Sequence, residues 1–127
     1  MKNAPIFAAF SGMDLLGKGI KKAFPAGKCV GGSEKNNTAR LLFKRQHGFE
    51  PFRDQRLVPD YAYDKIFMVT TGAPCVAFSL ARRQRGQTDT RGLHYVEQTD
   101  ECIRTTVPVI LFEQVPEARH ITLPGSK

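Results

Sequence analysis

Short apolar runs alternate along the chain with amphipathic segments, and this alternation predicts the secondary structure. Residues 6–10 form an apolar run that predicts a buried strand, which leads into a tight loop at Ser11 and Gly12. Apolar residues then recur at helical spacing over residues 15–24, and Pro25 ends that segment. The first part of the chain is therefore predicted to be a strand, a loop and a helix.

The same order is repeated in the next part of the chain. Residues 28–32 predict a second strand, and residues 37–46 carry an apolar stripe that predicts a second helix. Residues 47–63 are polar and aromatic and contain two prolines, so we expect mostly loop with one short strand or helix.

The second half of the chain contains the strongest strand signal. Residues 65–71 are predicted to be a strand with a buried centre, which ends at Gly72. A basic loop over residues 81–92 follows, then a predicted helix at 93–104 and another apolar strand at 107–112. Strands that alternate with helices imply right-handed crossovers and a mainly parallel sheet covered on both faces.

The predicted fold class is therefore α/β and Rossmann-like. A length of 127 residues fits one domain, and 41% hydrophobic with 24% charged residues is typical of a globular protein. The chain has neither an apolar run of about 20 residues nor a signal-peptide pattern, so no membrane association is expected. We expect a cytoplasmic or nucleoid-associated protein.

Charge and cysteine content limit the possible partners. The chain has 19 Lys and Arg against 12 Asp and Glu, a formal charge of +7, which favours a polyanionic partner without identifying one. Its three cysteines have no CxxC spacing, which argues against a disulfide framework and against a zinc site. We expect free thiols and no metal.

The segment most informative about chemistry is Gly-Ala-Pro-Cys-Val-Ala-Phe-Ser at residues 72–79. It directly follows the strongest predicted strand, and ligands of parallel α/β sheets gather at the carboxyl ends of strands. Cys75 is therefore placed for catalysis. Taken alone, it fits better the commoner role of a free cysteine, a small buried hydrophobic residue.

This segment resembles the Pro-Cys motif of DNA cytosine-5 methyltransferases, a strand followed by Gly-x-Pro-Cys-x-x-x-Ser. Other motifs follow in that family's order. Residues 10–12 resemble its Phe-x-Gly cofactor loop, and Glu34 follows the second strand where the family has an acid for the ribose. Residues 87–92 resemble the segment that closes its mobile catalytic loop, and residues 112–115 resemble its Glu-Asn-Val motif. The resemblance covers nearly the whole chain.

The resemblance implies an S-adenosylmethionine-dependent methyltransferase fold and assigns roles to residues of this chain. The residues implied to bind S-adenosylmethionine are Phe10, Ser11, Gly12, Met13, Glu34, Lys35, Asp54 and Pro74. Asp54 matches the acid that contacts the adenine amine. The residues implied to contact DNA are Ser79, Arg82, Arg83, Arg85 and Arg91.

The implied reaction explains why a thiol and a carboxylate are both needed. The Cys75 thiolate adds to C6 of cytosine, which makes C5 nucleophilic enough to accept a methyl group. Glu113 holds and protonates the ring near N3, and the base leaves the helix stack to reach both groups. The arginines at 82, 83 and 85 either lower the thiol pKa or form a solvated basic loop. The alternative for Glu113 is that it is only a surface carboxylate at a strand end.

The chain departs from the family pattern in several places. The family's cofactor loop continues as two adjacent glycines, whereas here Met13, Asp14 and Leu15 follow Gly12. Gln114 replaces the asparagine of the Glu-Asn-Val motif. The Arg-rich motif, the target-recognition domain and later strands have no counterpart before Lys127. We therefore expect a partial catalytic domain, spanning residues 1–127, that is inactive without a complementary chain. The alternatives are a non-catalytic remnant that binds nucleic acid or a partner methyltransferase, and an RNA cytosine-5 methyltransferase.

Overall fold

The computed structural model describes residues 3–73 and 93–114, with the backbone alone at residue 93, and the structural statements below concern these residues. The elements are β1 (Ala4–Ala9), α1 (Leu15–Ala23), β2 (Gly27–Gly32), α2 (Asn37–His47), two 3-10 helices (Gln55–Leu57 and Asp60–Tyr63), β3 (Met68–Thr71), α3 (Leu93–Arg104) and β4 (Val109–Phe112). The helices and strands follow one another in the predicted order.

The four strands form one sheet in the order β2-β1-β3-β4, and each neighbouring pair is parallel. From β1 the chain crosses to β2 on one side and then returns to β3 on the other side. The direction of winding therefore reverses at β1, and ligands of open α/β sheets bind outside the carboxyl ends of the strands at such a point. The predicted α/β fold is confirmed.

Two strands begin later than the apolar pattern predicted. β3 starts inside the predicted segment 65–71, because Lys65 has a φ of 62°, and β4 starts inside 107–112, because Thr106 has a φ of 60°. A positive φ interrupts extended backbone, so each strand begins only after this residue. Ile66 and Val107 precede the strands and are still buried in the core, which explains why the apolar runs are longer than the strands.

The termini of α1 and α2 follow from their capping residues. Asp14 accepts a hydrogen bond from the Gly17 amide at 3.0 Å, and Asn36 accepts one from the Ala39 amide at 3.0 Å. These contacts satisfy amides that have no partner inside the helix. Gly48 ends α2 with a φ of 83° and donates its amide to Lys44, a conformation that favours glycine.

The main core lies on one face of the sheet. Phe7 is completely buried there, and its ring centroid lies 4.8 Å from that of Tyr63. The buried members of this core are Phe7, Ala9, Val58, Tyr63, Ile66, Val69, Cys102 and Val107. The 3-10 region and α3 thus cover one face, and burial of these apolar side chains supplies the main driving force for folding.

The opposite face packs against α1 and the end of α2. A cavity of about 510 Å³ lies between this face and the helices, and we call it the helix-side cavity. Its lining includes Ile6, Ala8 and Thr70 from the sheet, Asp14, Gly17, Lys18 and Lys21 from α1 and its cap, and Lys28, Cys29, Gln46 and His47 from β2 and α2. None of the helices described here is long and apolar enough to cross a membrane.

Candidate active site

A pocket of about 530 Å³ opens at the carboxyl ends of β1, β2 and β3, and we call it the strand-end pocket. It is lined by Phe10, Gly12, Ser33, Glu34, Lys35, Arg53, Asp54, Gln55, Arg56, Gly72, His94 and Glu97. The parallel sheet places these loops together because all its strands end at the same edge. The location matches the one that the sequence predicted for a ligand site.

The loop between β1 and α1 is fastened to the end of β2. Phe10, predicted as the last strand residue, has a φ of 50° and instead begins the turn. Its amide donates to Ser33 Oγ at 3.1 Å, and the Ser11 amide donates to the Ser33 carbonyl at 2.9 Å. The Gly12 amide donates to Glu34 Oε2 at 2.6 Å. Backbone and side-chain hydrogen bonds therefore hold this loop against the pocket.

Glu34 lies at the junction of two loops and is half-buried. Its Oε2 accepts from Gly12, and its Oε1 accepts from the Asn36 amide at 2.7 Å. A carboxylate oxygen has two lone pairs, so each oxygen keeps one position for a further donor. The carboxylate is thus oriented by the protein while it still faces the pocket.

Asp54 also lines the pocket, but its carboxylate is already paired with Arg56. The guanidinium contacts both oxygens, at 3.2 Å from Nε and 2.9 Å from Nη2, and the Arg56 amide contacts Oδ1 at 3.0 Å. The Arg56 hydrogen bonds lower the pKa of Asp54 to about 2. Asp54 is therefore ionised at neutral pH, and a bound ligand would compete with Arg56 for its oxygens.

Several pocket residues were not predicted from the sequence. His94, in the first turn of α3, packs against Phe10 with ring centroids 5.1 Å apart. Its Nδ1 lies 3.4 Å from Glu97 Oε2. These two residues are distant in sequence from the β1 loop, and only the α3 crossover brings them to the pocket. No local sequence signal identified them.

A buried polar network connects the floor of the pocket to α3. Ser33 donates through Oγ to Gln55, and Gln55 Nε2 contacts both the Tyr63 hydroxyl and Glu101 Oε2. Tyr63 donates to Glu101 Oε2 at 2.8 Å, and Gln98 Nε2 donates to the same oxygen at 3.2 Å. Burial raises the pKa of Glu101. The network stabilises the position of Ser33 and, through it, the β1 loop.

Glu113 lies immediately after β4 and is exposed. Its amide donates to the Thr71 carbonyl at 3.0 Å, so the ends of β3 and β4 remain paired there. A Cβ on Gly72 would lie 3.7 Å from Glu113 Oε2, which places the carboxylate beside the chain that leaves β3. The predicted proximity of Glu113 to the end of β3 is therefore observed.

The backbone at Ala73 is held from two sides. Its carbonyl accepts from the Tyr95 hydroxyl at 2.9 Å and from Gln114 Nε2 at 2.9 Å. The side-chain amide of Gln114 thus holds the backbone immediately before residue 74. Pro74, Cys75, Ser79, Arg82, Arg83, Arg85 and Arg91 lie outside the described residues.

In the two cysteines that the structure describes, burial keeps the free thiols protonated at neutral pH. Burial is the main factor that raises the pKa of Cys29 to about 12 and the pKa of Cys102 to about 11. Thiol reactivity requires the thiolate, which is scarce at neutral pH when the pKa is raised this far. Neither cysteine lines the strand-end pocket.

Two predicted cofactor residues do not line the pocket. Met13 is 54% exposed, and the Ser11 hydroxyl is buried without a hydrogen-bond partner among the described residues. Asp14, which follows Gly12 in the loop that departs from the family pattern, lines the helix-side cavity. Gly12, with a φ of 52°, remains open to the strand-end pocket. Asp14 therefore does not fill the pocket.

Comparisons with known proteins agree with this geometry. The family model for C-5 cytosine-specific DNA methylases matches residues 1–122. The type II methyltransferase M.HpaII of Haemophilus parainfluenzae is 33% identical over 88 residues, which cover 68% of this chain and 24% of that protein.

Two solved structures share the fold. DNMT2 of Spodoptera frugiperda has a TM-score of 0.71 at 18% identity, over 94% of this chain and 38% of its own. The methyltransferase EhMeth of Entamoeba histolytica has a TM-score of 0.69 at 12% identity, over 94% of this chain and 40% of its own. The chain thus spans less than half of the length of each of these relatives.

Proposed function

Because the chain belongs to the C-5 cytosine-specific DNA methylase family, we propose that it contributes to methyl transfer from S-adenosylmethionine to C5 of cytosine in DNA. The observation that carries this proposal is the strand-end pocket, in which the Gly12 amide and the Asn36 amide hold the Glu34 carboxylate in place. A carboxylate at this position of an α/β fold suits the hydroxyls of a ribose.

The residues present fit an adenosyl group. The pocket volume of about 530 Å³ lies within the usual range for small-molecule sites, roughly 300–1,000 Å³. Glu34 keeps lone pairs for ribose hydroxyls, and Asp54 supplies an acceptor for an amine. Phe10 and His94 provide aromatic ring surface beside them. S-adenosylmethionine, when bound, supplies an electrophilic methyl group.

The nucleophile in this proposal is Cys75. Its thiolate adds to C6 of a cytosine that has left the helix stack, while Glu113 donates a proton at N3. C5 would then take the methyl group from the sulfonium, which leaves as the thioether S-adenosylhomocysteine. A base removes the C5 proton, the Cys75 thiolate is eliminated, and N3 returns its proton to Glu113. The exposed Glu113 carboxylate beside Gly72 supports this assignment, because Gly72 is three residues from Cys75.

Tyr95 and Gln114 act as positioning residues in the same proposal. Both donate to the Ala73 carbonyl, directly before the Pro-Cys pair. Correct orientation of reacting groups contributes strongly to catalysis, and an error of about 1 Å can reduce the rate a hundredfold.

Glu34→Gln tests the proposal at the pocket. The amide lacks the negative charge and can accept at only one atom, so we expect S-adenosylmethionine to bind at least about tenfold more weakly by calorimetry. The matched control is Glu50→Gln, which neutralises a glutamate that pairs with Lys44 and Arg40 outside the pocket. Equal affinity of the Glu34 and Glu50 variants would contradict the assignment.

The proposal assigns target recognition to a complementary chain or segment. A positive surface alone attracts phosphate, and phosphate contacts position a protein without specifying a base sequence. We expect labelled methyl transfer to DNA when the 127-residue chain is mixed with a chain that carries the remaining family motifs. Transfer to RNA and not to DNA in the same assay would instead support an RNA cytosine substrate, and binding without any transfer would support a non-catalytic role.

A further inference from the structure

Three side chains with metal-binding atoms converge outside the strand-end pocket. Asp14 caps α1, Cys29 lies on β2, and His47 is the last residue of α2. One carboxylate oxygen, the thiol sulfur and one imidazole nitrogen all lie within 4.8 Å of one another. All three residues line the helix-side cavity, and none lines the strand-end pocket.

The Asp14 carboxylate is buried and already oriented. Asp14 is 2% exposed, its Oδ1 accepts from the Gly17 amide, and its Oδ2 lies 2.7 Å from His47 Nε2. A Cβ at position 17 would lie 2.3 Å from Oδ1, so a glycine is needed there. Such backbone support is the kind of contact that orients a metal ligand.

The other two donors are fixed by their own elements. The His47 ring lies 4.4 Å from the Phe43 ring and 5.9 Å from the Phe49 ring, measured between centroids. Cys29 Sγ is held 3.3 Å from the Gly31 carbonyl on the same strand. The three donors therefore come from separate, rigid parts of the fold, as a preformed site requires.

We propose that Asp14 Oδ2, Cys29 Sγ and His47 Nε2 bind a zinc ion, with a water from the helix-side cavity as the fourth ligand. Zinc accepts oxygen, sulfur and nitrogen ligands at about 2.0–2.3 Å in tetrahedral geometry, which implies donor separations of roughly 3.3–3.8 Å. The Asp14 Oδ2–His47 Nε2 separation of 2.7 Å is shorter than this range, and the other donor separations are at most 4.8 Å. Zinc binding would therefore replace the Asp14–His47 contact and move the three side chains to ligand distances. A thiolate with an imidazole selects zinc over magnesium or calcium, which prefer oxygen ligands.

The charges around the site are compatible with a divalent cation. Zinc binding would displace the proton of the Cys29 thiol, and the resulting thiolate together with the Asp14 carboxylate would balance the two charges of zinc. Lys18, Lys21 and Lys28 line the same cavity, but they are at least partly exposed, and solvent screens their ammonium groups. The cysteine spacing predicted no zinc site, because this site uses one cysteine and two donors that are distant in sequence.

A bound zinc ion would join the start of α1, β2 and the end of α2. It would thereby stabilise the β1–α1 loop on the side of the helix-side cavity. Gly12 of the same loop lines the strand-end pocket. Binding to the folded state alone raises the free energy of unfolding. This inference is independent of the proposed methyl transfer.

Metal titration of the full 127-residue chain tests the proposal. After chelator treatment, we expect one equivalent of Zn²⁺ to bind by calorimetry, and Co²⁺ to give a thiolate-to-cobalt charge-transfer band with tetrahedral d–d bands. Cys29→Ser should lose the band and weaken zinc binding at least about a hundredfold. The controls Cys75→Ala and Cys102→Ala should retain both.

A second variant separates metal binding from folding. Asp14→Asn keeps an oxygen that caps α1 but removes the charged ligand, so we expect an unchanged circular dichroism spectrum and at least about tenfold weaker zinc binding. The proposal is overturned if the parent binds no stoichiometric zinc, if the Cys29→Ser protein keeps the cobalt band, or if the Asp14→Asn protein binds zinc as the parent does.

Discussion

At the scale of single residues, Glu101 shows how burial changes a carboxylate. Its Oε2 accepts from Tyr63, Gln55 and Gln98, but desolvation has the larger effect and raises its pKa. The folded state therefore binds a proton more tightly than the unfolded chain, whose Glu pKa is about 4.3. The stability from this group is present below that pKa and is lost as pH rises through the folded pKa.

Glu101→Gln should remove this pH-dependent loss. The amide stays neutral, so we expect the difference in unfolding free energy, variant minus parent, to become more favourable as pH rises from about 4 towards neutrality. Urea unfolding at a series of pH values measures the difference. Parallel curves for the two proteins would show that Glu101 titrates alike in both states.

Cys75 is predicted to be the nucleophilic thiol. Cys75→Ala should abolish methyl transfer and covalent capture of 5-fluorocytosine DNA, measured with the complementary chain present. Cys102→Ala should retain both activities, because that thiol is buried and its pKa is raised to about 11. Transfer near the parent level by the Cys75→Ala protein would remove this cysteine from the mechanism.

At the scale of elements, the two glycines of α1 have different surroundings. A Cβ at Gly17 would meet the Asp14 carboxylate at 2.3 Å, whereas a Cβ at Gly19 would meet nothing within 4 Å. Both lie inside the helix, where alanine is intrinsically favoured over glycine by roughly 0.5–1 kcal/mol.

Substitution of these glycines should therefore change stability in opposite directions. Gly17→Ala displaces the capping carboxylate, and loss of a cap costs about 0.5–2 kcal/mol, so we expect net destabilisation. Gly19→Ala should stabilise by about 0.5–1 kcal/mol. Denaturant unfolding of the two variants measures both effects, and stabilisation by both would mean that Asp14 does not need the space at position 17.

The boundaries of the elements show which structural features the local sequence pattern did not predict. The apolar runs predicted the order of the strands and α-helices described, because apolar period and turn residues are local properties. They extended β3 and β4 too far, since the positive φ of Lys65 and of Thr106 depends on how the preceding segment turns. The two 3-10 helices within residues 47–63 appeared only as an unspecified short element.

At the scale of the whole molecule, the formal charge of +7 determines how DNA is expected to bind. Binding by this chain should weaken steeply with salt and differ little between unrelated duplexes, because released counterions drive it. A titration that showed strong preference for one short sequence would contradict a purely electrostatic interaction.

We expect the basic loop at residues 81–92 to contribute more to DNA affinity than basic residues elsewhere in the chain. Replacing Arg82 and Arg83 by alanine should reduce the slope of log affinity against log salt by about 1 for each arginine that neutralises a phosphate. The matched control replaces Lys21 and Lys22, which end α1 away from the strand-end pocket, and should change the slope less. Equal slopes for both pairs would indicate that only net charge matters.

The sequence by itself determined the α/β class, the element order and the pocket loops around Gly12 and Glu34. These features depend on apolar periodicity, on turn residues and on motifs, all of which are recorded within a few neighbouring positions. The family resemblance rested on the same local segments, and the match over residues 1–122 confirms it.

Only the tertiary structure decided which distant residues meet. His94 reaches Phe10, Glu101 reaches Tyr63, and Asp14 reaches Cys29 and His47 because crossovers and packing bring separate elements together. Such contacts depend on the order of strands in the sheet and on the faces that helices bury, and residues far apart in the chain carry no local mark of them.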